Sequence, residues 1–429
     1  MSNHNVQLHI AIPVMNELEW FPKTLTSIIQ SVNELCRCTT HPTPHTYVCI
    51  NQPDSWWEDP SRKEVCQANT ALLAILEKEE RIPLTTIDHC TRGRGWEAKK
   101  SGVGMARKVL FEKILEEAAP NDIIVSMDAD TTFPAAYLQG IIGTMGRNPD
   151  WVALSAPYYH NLSGVESLDR SMLRYEIYMR NYALNMLRIN SPYAFTALGS
   201  AIVVRAGALR KIGNITPLQS GEDFYLLQKL CKMGTVGTWA PECVHPATRI
   251  SNRVIFGTGP AIQSGLSNHW ESYPIYSHFL FEKIAETYHL IEQLYSEEIE
   301  TAFLQFLQHQ FKSPRLWDTI RANTKNSVQF KRAFHEKADG LRILQYLKSE
   351  QKRETRPDAH ILRENLQILL PEEAWVRISP LLLSDKDLAD YSTEALNQIR
   401  DVMFEEEMHI RSKNVKTDKP HPPHRIPHP

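Results

Sequence analysis

The centre of the chain reads IIVSMDAD over residues 123–130, a short apolar run that ends in two aspartates one residue apart. A run of this kind is typical of a buried strand. Because side chains alternate along a strand, the sequence predicts that Asp128 and Asp130 point to one face at its carboxyl end. Ligands of open α/β sheets bind at that edge. Two carboxylates there predict a hard divalent cation, Mg²⁺ or Mn²⁺, and through it a diphosphate, rather than one helix cap and one solvated aspartate.

Strand and helix patterns alternate around this segment over residues 1–265, which predicts an α/β domain with a mostly parallel sheet and helices on both faces. From residue 266 the apolar residues recur three and four apart, which predicts a helical region over 266–412. The final stretch, 413–429, is rich in proline and histidine and is predicted to be disordered. The expected strands are 8–15, 47–51, 85–88, the strand that begins at 122 and ends in the two aspartates, 151–156, 200–204 and 235–239. The expected helices of the first region include 17–35, 60–79 and 102–118.

Composition limits the classes of partner. The 429 residues carry a net charge of −3, so no overall positive field favours nucleic acid. Seven scattered cysteines predict reduced thiols and a cytoplasmic location. The N-terminus lacks a leader pattern and no apolar run is long enough to span a bilayer, so we expect no transmembrane segment and at most a peripheral membrane contact.

Gly221, Glu222 and Asp223 precede a strong helical pattern. Acids in a first helical turn are stabilised by free amides and by the helix dipole, and capping alone would explain them. Beside a diphosphate site, one of them is instead predicted to be a general base that deprotonates an acceptor hydroxyl. We assign that role to Asp223.

Two basic, glycine-containing segments are candidates for anion binding. Residues 91–108 hold six cations and one glutamate, with Lys99 and Arg107 as phosphate-binding candidates, although a solvated loop explains the segment equally well. Residues 245–260 include Arg249 and Arg253, which are predicted to close over a diphosphate. His245 is a third candidate metal ligand, although for a lone histidine an ordinary hydrogen bond is slightly favoured.

The ends of the first two predicted strands lie at the same sheet edge as the aspartates. Pro13, Glu17 and Asn51 are therefore candidates for contacts with a nucleobase and ribose. Proline is also common at strand ends for structural reasons alone, so this pattern by itself is weak evidence for a nucleotide site.

Taken in order, the segments IPVMNE, GVGMARK, SMDAD, GSAIVVR and SGED resemble the family 2 glycosyltransferases of the GT-A fold over about residues 6–265. The resemblance implies metal-dependent transfer of a sugar, of the hexosyltransferase type, from a UDP- or GDP-linked donor to a hydroxyl acceptor with inversion. Glycans and lipid-linked glycans are among the acceptors considered. It implies that Pro13 and Glu17 bind the donor, that Asp128 and Asp130 bind the metal and diphosphate, and that Asp223 is the base.

The chain departs from the family in two places, and three alternatives stay open. Asn51 stands where many relatives carry an aspartate, and the Gln-x-x-Arg-Trp motif of processive members is missing, so we expect a non-processive enzyme.

The alternatives are a retaining transferase, a non-catalytic nucleotide-sugar-binding protein and a sugar-phosphate nucleotidyltransferase. The nucleotidyltransferase is disfavoured because it would normally carry a glycine-rich loop with an arginine directly after the first strand, where this chain has PVMNE over residues 13–17. Gly199 and Ser200 fall where the family shapes the acceptor side, and the helical C-terminal region matches nothing we can assign.

Overall fold

The computed structural model describes residues 6–250, 257–383, 386–413 and 415. The described residues form two compact units, one within residues 1–172, 195–266 and 411–429 and the other within residues 173–194 and 267–410. The predicted division at residue 265 and the predicted disorder of the tail stay predictions, and residues 416–429 lie outside the described residues.

A seven-stranded sheet, in the order β3-β2-β1-β4-β7-β6-β8, is the centre of the first unit. All neighbouring strands are parallel except β7, which runs antiparallel to β4 and β6. A separate antiparallel pair joins β5 to β9. The strands are β1 (Leu8–Val14), β2 (His45–Asn51), β3 (Leu84–His89), β4 (Ile123–Ser126), β5 (Thr131–Thr132), β6 (Trp151–Ser155), β7 (Ile202–Arg205), β8 (Thr235–Gly237) and β9 (His245–Pro246).

The predicted mostly parallel sheet is confirmed. Every residue of β1 and β4 is buried, as expected for apolar strands covered on both faces. One detail of the prediction is wrong: β4 ends at Ser126, so strand alternation does not orient Asp128 and Asp130, which lie in the turn that follows.

Helices alternate with most of these strands along the chain. The first helix begins at Phe21 rather than near residue 17, since Pro22 lies in its first turn, where proline is favoured. The helices that begin in the first unit are α1 (Phe21–Cys38), α2 (Lys63–Leu76), α3 (Val103–Leu115), α4 (Tyr137–Arg147), α5 (Glu166–Arg188), α6 (Ala206–Lys211), α7 (Glu222–Met233) and α8 (Thr258–Leu266). Short 3-10 turns lie at Asp54–Glu58, Pro60–Arg62, Ala98–Lys100 and Gly199–Ala201.

The second unit is helical, as the apolar spacing predicts. Its core joins the later part of α5 to the last helices through leucine, isoleucine and aromatic side chains, including Ile177, Leu362 and Ile399. Its further helices are α9 (His278–His289), α10 (Ile291–Leu294), α11 (Ala302–Gln310), α12 (Leu316–Ala322), α13 (Ser327–Lys337), α14 (Gly340–Gln351), α15 (Asp358–Leu369), α16 (Glu372–Ile378) and α17 (Thr393–Ser412), with a 3-10 turn at Leu388–Asp390. Among the described residues, none of the helices combines the length and apolarity needed to cross a bilayer.

Candidate active site

The turn after β4 carries both aspartates to the small two-stranded sheet. The amide of Thr131 donates to the carbonyl oxygen of Asp128 over 3.3 Å, and β5 then pairs with β9, opposite His245 and Pro246. One residue further, the amide of Ala247 donates to the carbonyl oxygen of Asp130 over 3.2 Å. This backbone pairing brings the segment after β9 directly to the aspartates.

Arg249 joins Asp130 to Glu17. Its Nε donates to Oδ2 of Asp130 over 2.7 Å, and its Nη2 donates to Oε1 of Glu17 over 2.5 Å. The guanidinium also lies over the ring of Trp20, with 5.4 Å between its central carbon and the ring centroid. Burial lowers the pKa of Arg249, but Asp130 and Glu17 raise it by more, so this side chain is a fixed positive charge.

Arg107 joins Asp128 to Glu222. It extends from α3 into the interior, where its guanidinium donates to one carboxylate oxygen of each partner. Burial lowers its pKa, but the nearby Asp128, Glu222 and Asp223 raise it overall. Gly199 lies against this guanidinium, and a Cβ at that position would overlap with it. Arg107, which the sequence predicts to bind a phosphate, therefore lies among carboxylates in this structure.

Asp223 lies in the first turn of α7, directly after Gly221, which adopts a left-handed φ of 76° at the N-cap position. The capping position is thus taken by the glycine and not by either acid. The amide of Phe224 donates to Oδ1 of Asp223 over 2.7 Å. Burial and the charge of Glu222 nevertheless raise the pKa of Asp223 to about 7, against the opposing effect of Arg107. A carboxylate with such a pKa suits a proton acceptor near neutral pH.

The donor set around the two aspartates fits a hard divalent cation. Carboxylate oxygens are the preferred ligands of Mg²⁺ and Mn²⁺, and Mg²⁺ is commonly held by one or two carboxylates together with substrate phosphates. Among the described residues no three histidine, cysteine, aspartate or glutamate side chains are gathered for a metal. The protein would therefore supply Asp128 and Asp130, with the remaining ligands coming from a diphosphate and water.

His245 has a hydrogen-bonding position in the structure. Its Nδ1 lies 2.9 Å from the carbonyl oxygen of Tyr159, and its Nε2 lies 3.7 Å from Sγ of Cys243. The structure does not bring its ring together with Asp128 and Asp130 as a set of three ligands.

Buried amides tie the ends of β1 and β2 together. Asn51 donates from Nδ2 to the carbonyl oxygen of Val14 over 2.9 Å, while Asn69 accepts from the amide of Asn16 and donates to Oε1 of Gln52. Asn16 has a left-handed φ of 57°, a conformation that asparagine tolerates better than most residues. The sequence patterns did not reveal Asn69 or Gln52, because neither belongs to a motif.

Pro13 and Glu17 also lie at this edge. Pro13 is buried in β1 opposite Cys49 of β2, and Glu17 is buried just after the strand. Pro13, Glu17 and Asn51 are thus all in or just beyond the first two strands, as the sequence predicts.

The basic segment at residues 91–108 is largely paired with acids. Three of its exposed cations have carboxylate partners, namely Arg92 with Glu58, Arg94 with Asp88 and Lys100 with Glu97. Lys99 is exposed and has no ion-pair partner among the described residues. Arg253 lies outside the described residues, so its predicted role stays a prediction.

Comparison with known proteins agrees with the sequence resemblance. The model of the glycosyl transferase family group 2 matches residues 123–258, the segment that contains both aspartates after β4 and the acids of α7. The predicted family resemblance and the glycosyltransferase assignment are confirmed over this segment, and the mostly parallel sheet agrees with the predicted fold class. No curated protein matches the chain.

Two solved structures are among those that match the chain at low identity. One is S. aureus TarS 1–349 in complex with UDP-GlcNAc, with 13% identity, a TM-score of 0.39 and coverage of 98% of this chain and 99% of that chain. The other is glucosyl-3-phosphoglycerate synthase from Mycobacterium tuberculosis in complex with Mn²⁺, UDP-glucose and phosphoglyceric acid. It has 10% identity, a TM-score of 0.34 and coverage of 62% of this chain and 79% of that chain.

Replacing Arg107 by methionine should lower the free energy of unfolding by about 3–5 kcal/mol, because it leaves buried carboxylates without their counter-ion. Urea denaturation measures this loss. Arg37→Met is the control, since Arg37 pairs with Glu34 on the surface and its side chain is 76% exposed. Equal midpoints for the two variants would contradict a central role for Arg107.

The raised pKa of Asp223 predicts a pH-dependent effect of Asp223→Asn on stability. Its pKa is about 7 in the folded chain and about 3.9 in an unfolded one. The folded state therefore binds more protons between these values, and the free energy of unfolding falls as pH rises through this window. Asparagine removes the titration, so the variant should be more stable than wild type at pH 8, by about 1–3 kcal/mol.

The comparison is made by urea denaturation at pH 4.5 and pH 8, with Asp150→Asn as an exposed control in the same unit. The advantage of Asp223→Asn over wild type should shrink at the lower pH. An equal difference at both pH values would mean that Asp223 does not titrate in this window.

Proposed function

We propose that this chain, whose residues 123–258 belong to the glycosyl transferase family group 2, moves a sugar from a UDP- or GDP-linked donor to a hydroxyl acceptor with inversion. The observation that carries the proposal is the bridge formed by Arg107. One guanidinium contacts Asp128, on the donor side, and Glu222, next to the candidate base. An inverting transfer needs a proton acceptor that is separate from the leaving group. The bridge supports this proposal because one guanidinium contacts both Asp128 and Glu222, the residue before Asp223.

On the donor side, Asp128 and Asp130 provide the carboxylate oxygens. A divalent cation bound there would neutralise the charge that develops on the departing nucleoside diphosphate. Lys99 and Arg249 are the cations of this chain proposed to contact the diphosphate, together with Arg253.

The nucleoside is assigned to the edge formed by Pro13, Glu17 and Asn51. Asn51 supports this assignment because its Oδ1 is buried and has no partner among the described residues. That oxygen is an acceptor for a ring N–H, which uracil and guanine both have.

On the acceptor side, Asp223 takes up the proton. The acceptor oxygen forms a bond to the anomeric carbon as the bond from that carbon to the diphosphate oxygen breaks, and the hydroxyl proton moves to the Asp223 carboxylate. The pKa of about 7 makes this carboxylate a stronger base than an ordinary aspartate while leaving it ionised in mildly alkaline solution. Gly199, which lies against Arg107, and the adjacent Ser200 are the proposed acceptor-side wall.

A screen of nucleotide-sugars by thermal unfolding tests the donor assignment. At a concentration about 100 times its Kd, a bound donor contributes about 2.7 kcal/mol, which raises the Tm of a domain of this size by several degrees. We expect one UDP- or GDP-sugar to do so only when Mn²⁺ or Mg²⁺ is present. The double variant Asp128→Asn with Asp130→Asn should show no such rise in Tm. If no UDP- or GDP-sugar raises the Tm of the wild-type chain, the donor assignment is refuted.

Asp223→Asn should lower the transfer rate by about 10²- to 10⁴-fold, the usual contribution of a general base. Donor affinity, measured by calorimetry with the cation present, should stay close to that of wild type, because the variant keeps Asp128 and Asp130. Asp150→Asn controls for the change of charge. Loss of donor binding would instead assign Asp223 to the donor side, and an unchanged rate would favour a different base.

A further inference from the structure

Arg249 is placed on the carboxylate oxygens that the proposed donor site needs. We propose that Arg249 is an exchangeable internal counter-ion, which neutralises Asp130 and Glu17 before the donor binds and then moves to the diphosphate. In consequence, the divalent cation enters with the nucleotide rather than before it. This inference rests on the proposed donor site at Asp128 and Asp130.

The first support is direct competition for one atom. Oδ2 of Asp130 accepts from Nε of Arg249 over 2.7 Å and lies 2.5 Å from its Nη2. A cation that binds this oxygen replaces a guanidinium that already binds it, since two positive charges at one oxygen repel each other. A metal that uses Oδ2 of Asp130 without a nucleotide therefore has to displace Arg249, and it offers that side chain no new partner.

The second support is the anchoring of the backbone around Arg249. The amide of Ala247 donates to the carbonyl oxygen of Asp130 over 3.2 Å, and Oγ1 of Thr248 donates to the carbonyl oxygen of Asn161 over 2.7 Å. The main chain is thus held beside the aspartates up to the residue before Arg249. In the proposed exchange the guanidinium changes its partner by a change of rotamer while this main chain stays in place, because a carboxylate and a diphosphate both match its planar fork.

The third support is the contrast with Arg107. The Arg107 side chain is 3% exposed and wedged against Gly199, whereas the Arg249 side chain is 15% exposed and lies over Trp20. Moving Arg107 would leave the buried Glu222 without a counter-ion, at a high desolvation cost. Arg249 also has the Trp20 ring beside it, a cation–π partner that requires no carboxylate. One arginine is therefore fixed and the other can exchange.

The exchange has a thermodynamic consequence. A diphosphate gives Arg249 a new anion and frees Asp130, so nucleotide should strengthen cation binding, and by linkage cation should strengthen nucleotide binding by the same factor. Removing the positive charge of Arg249 should tighten the binding of the cation alone and weaken this mutual strengthening.

The test measures Mn²⁺ bound to the full chain by electron paramagnetic resonance, without nucleotide and with UDP or GDP. Arg249→Gln should bind Mn²⁺ alone about 5- to 150-fold more tightly than wild type. Its gain in Mn²⁺ affinity on adding nucleotide should be smaller than that of wild type. Arg249→Lys keeps the charge and should stay closer to wild type, and Arg37→Gln is the matched control for an exposed arginine in the same unit.

If Arg249→Gln binds Mn²⁺ alone no more tightly than Arg37→Gln, the exchange is refuted. If it fails to fold, as judged by circular dichroism, the double variant Glu17→Gln with Arg249→Gln keeps the local net charge and should show the same gain. Failure of the proposed function gives a different result: neither UDP nor GDP changes Mn²⁺ binding in wild type. A gain in Arg249→Gln without any nucleotide effect would retain the competition at Asp130 and reject the donor.

Discussion

The arrangement of the site depends on one buried guanidinium. Arg107 contacts Asp128 after the central strand and Glu222 at the start of α7, and its charge also acts on Asp223. Without it, the buried Glu222 would lack this counter-ion, and the negative charges of Asp128, Glu222 and Asp223 would repel each other. Gly199 is part of the same constraint, because any side chain there would displace the guanidinium.

Local patterns were enough to predict the elements that carry the site, but not the contacts between them. Buried strands and the acids at their ends are visible in short segments, whereas Arg107 and Glu222 are 115 positions apart and Arg249 and Asp130 are 119 apart. The pair β5–β9 has two residues per strand, too few for any periodicity. The spacing of apolar residues does not predict helix α5, because its buried face contains charged side chains. The buried Arg180, for example, pairs with Glu176 and Glu407.

The electrostatics of Asp223 show how the fold accommodates chemistry. Surrounding a carboxylate with protein and placing Glu222 beside it disfavours the ionised form, which is unfavourable for folding above neutral pH. The same arrangement makes the carboxylate a better proton acceptor. Conflicts of this kind between stability and reactivity are common at active sites, where a strained or destabilised group is retained because the reaction needs it.

Charge balance is consistent with a site in which Arg107 is fixed and Arg249 has the exchangeable role proposed for it. Among the described residues of this site, five carboxylates, those of Glu17, Asp128, Asp130, Glu222 and Asp223, face the two guanidinium groups of Arg107 and Arg249. The surplus is negative, which favours a divalent cation, but a diphosphate brings negative charge of its own. If the site accepts both at once, as proposed, it needs one positive group that can move with the anion and another that stays beside Asp223. Burial decides which is which, since the desolvated Arg107 cannot leave its partners and the partly exposed Arg249 can.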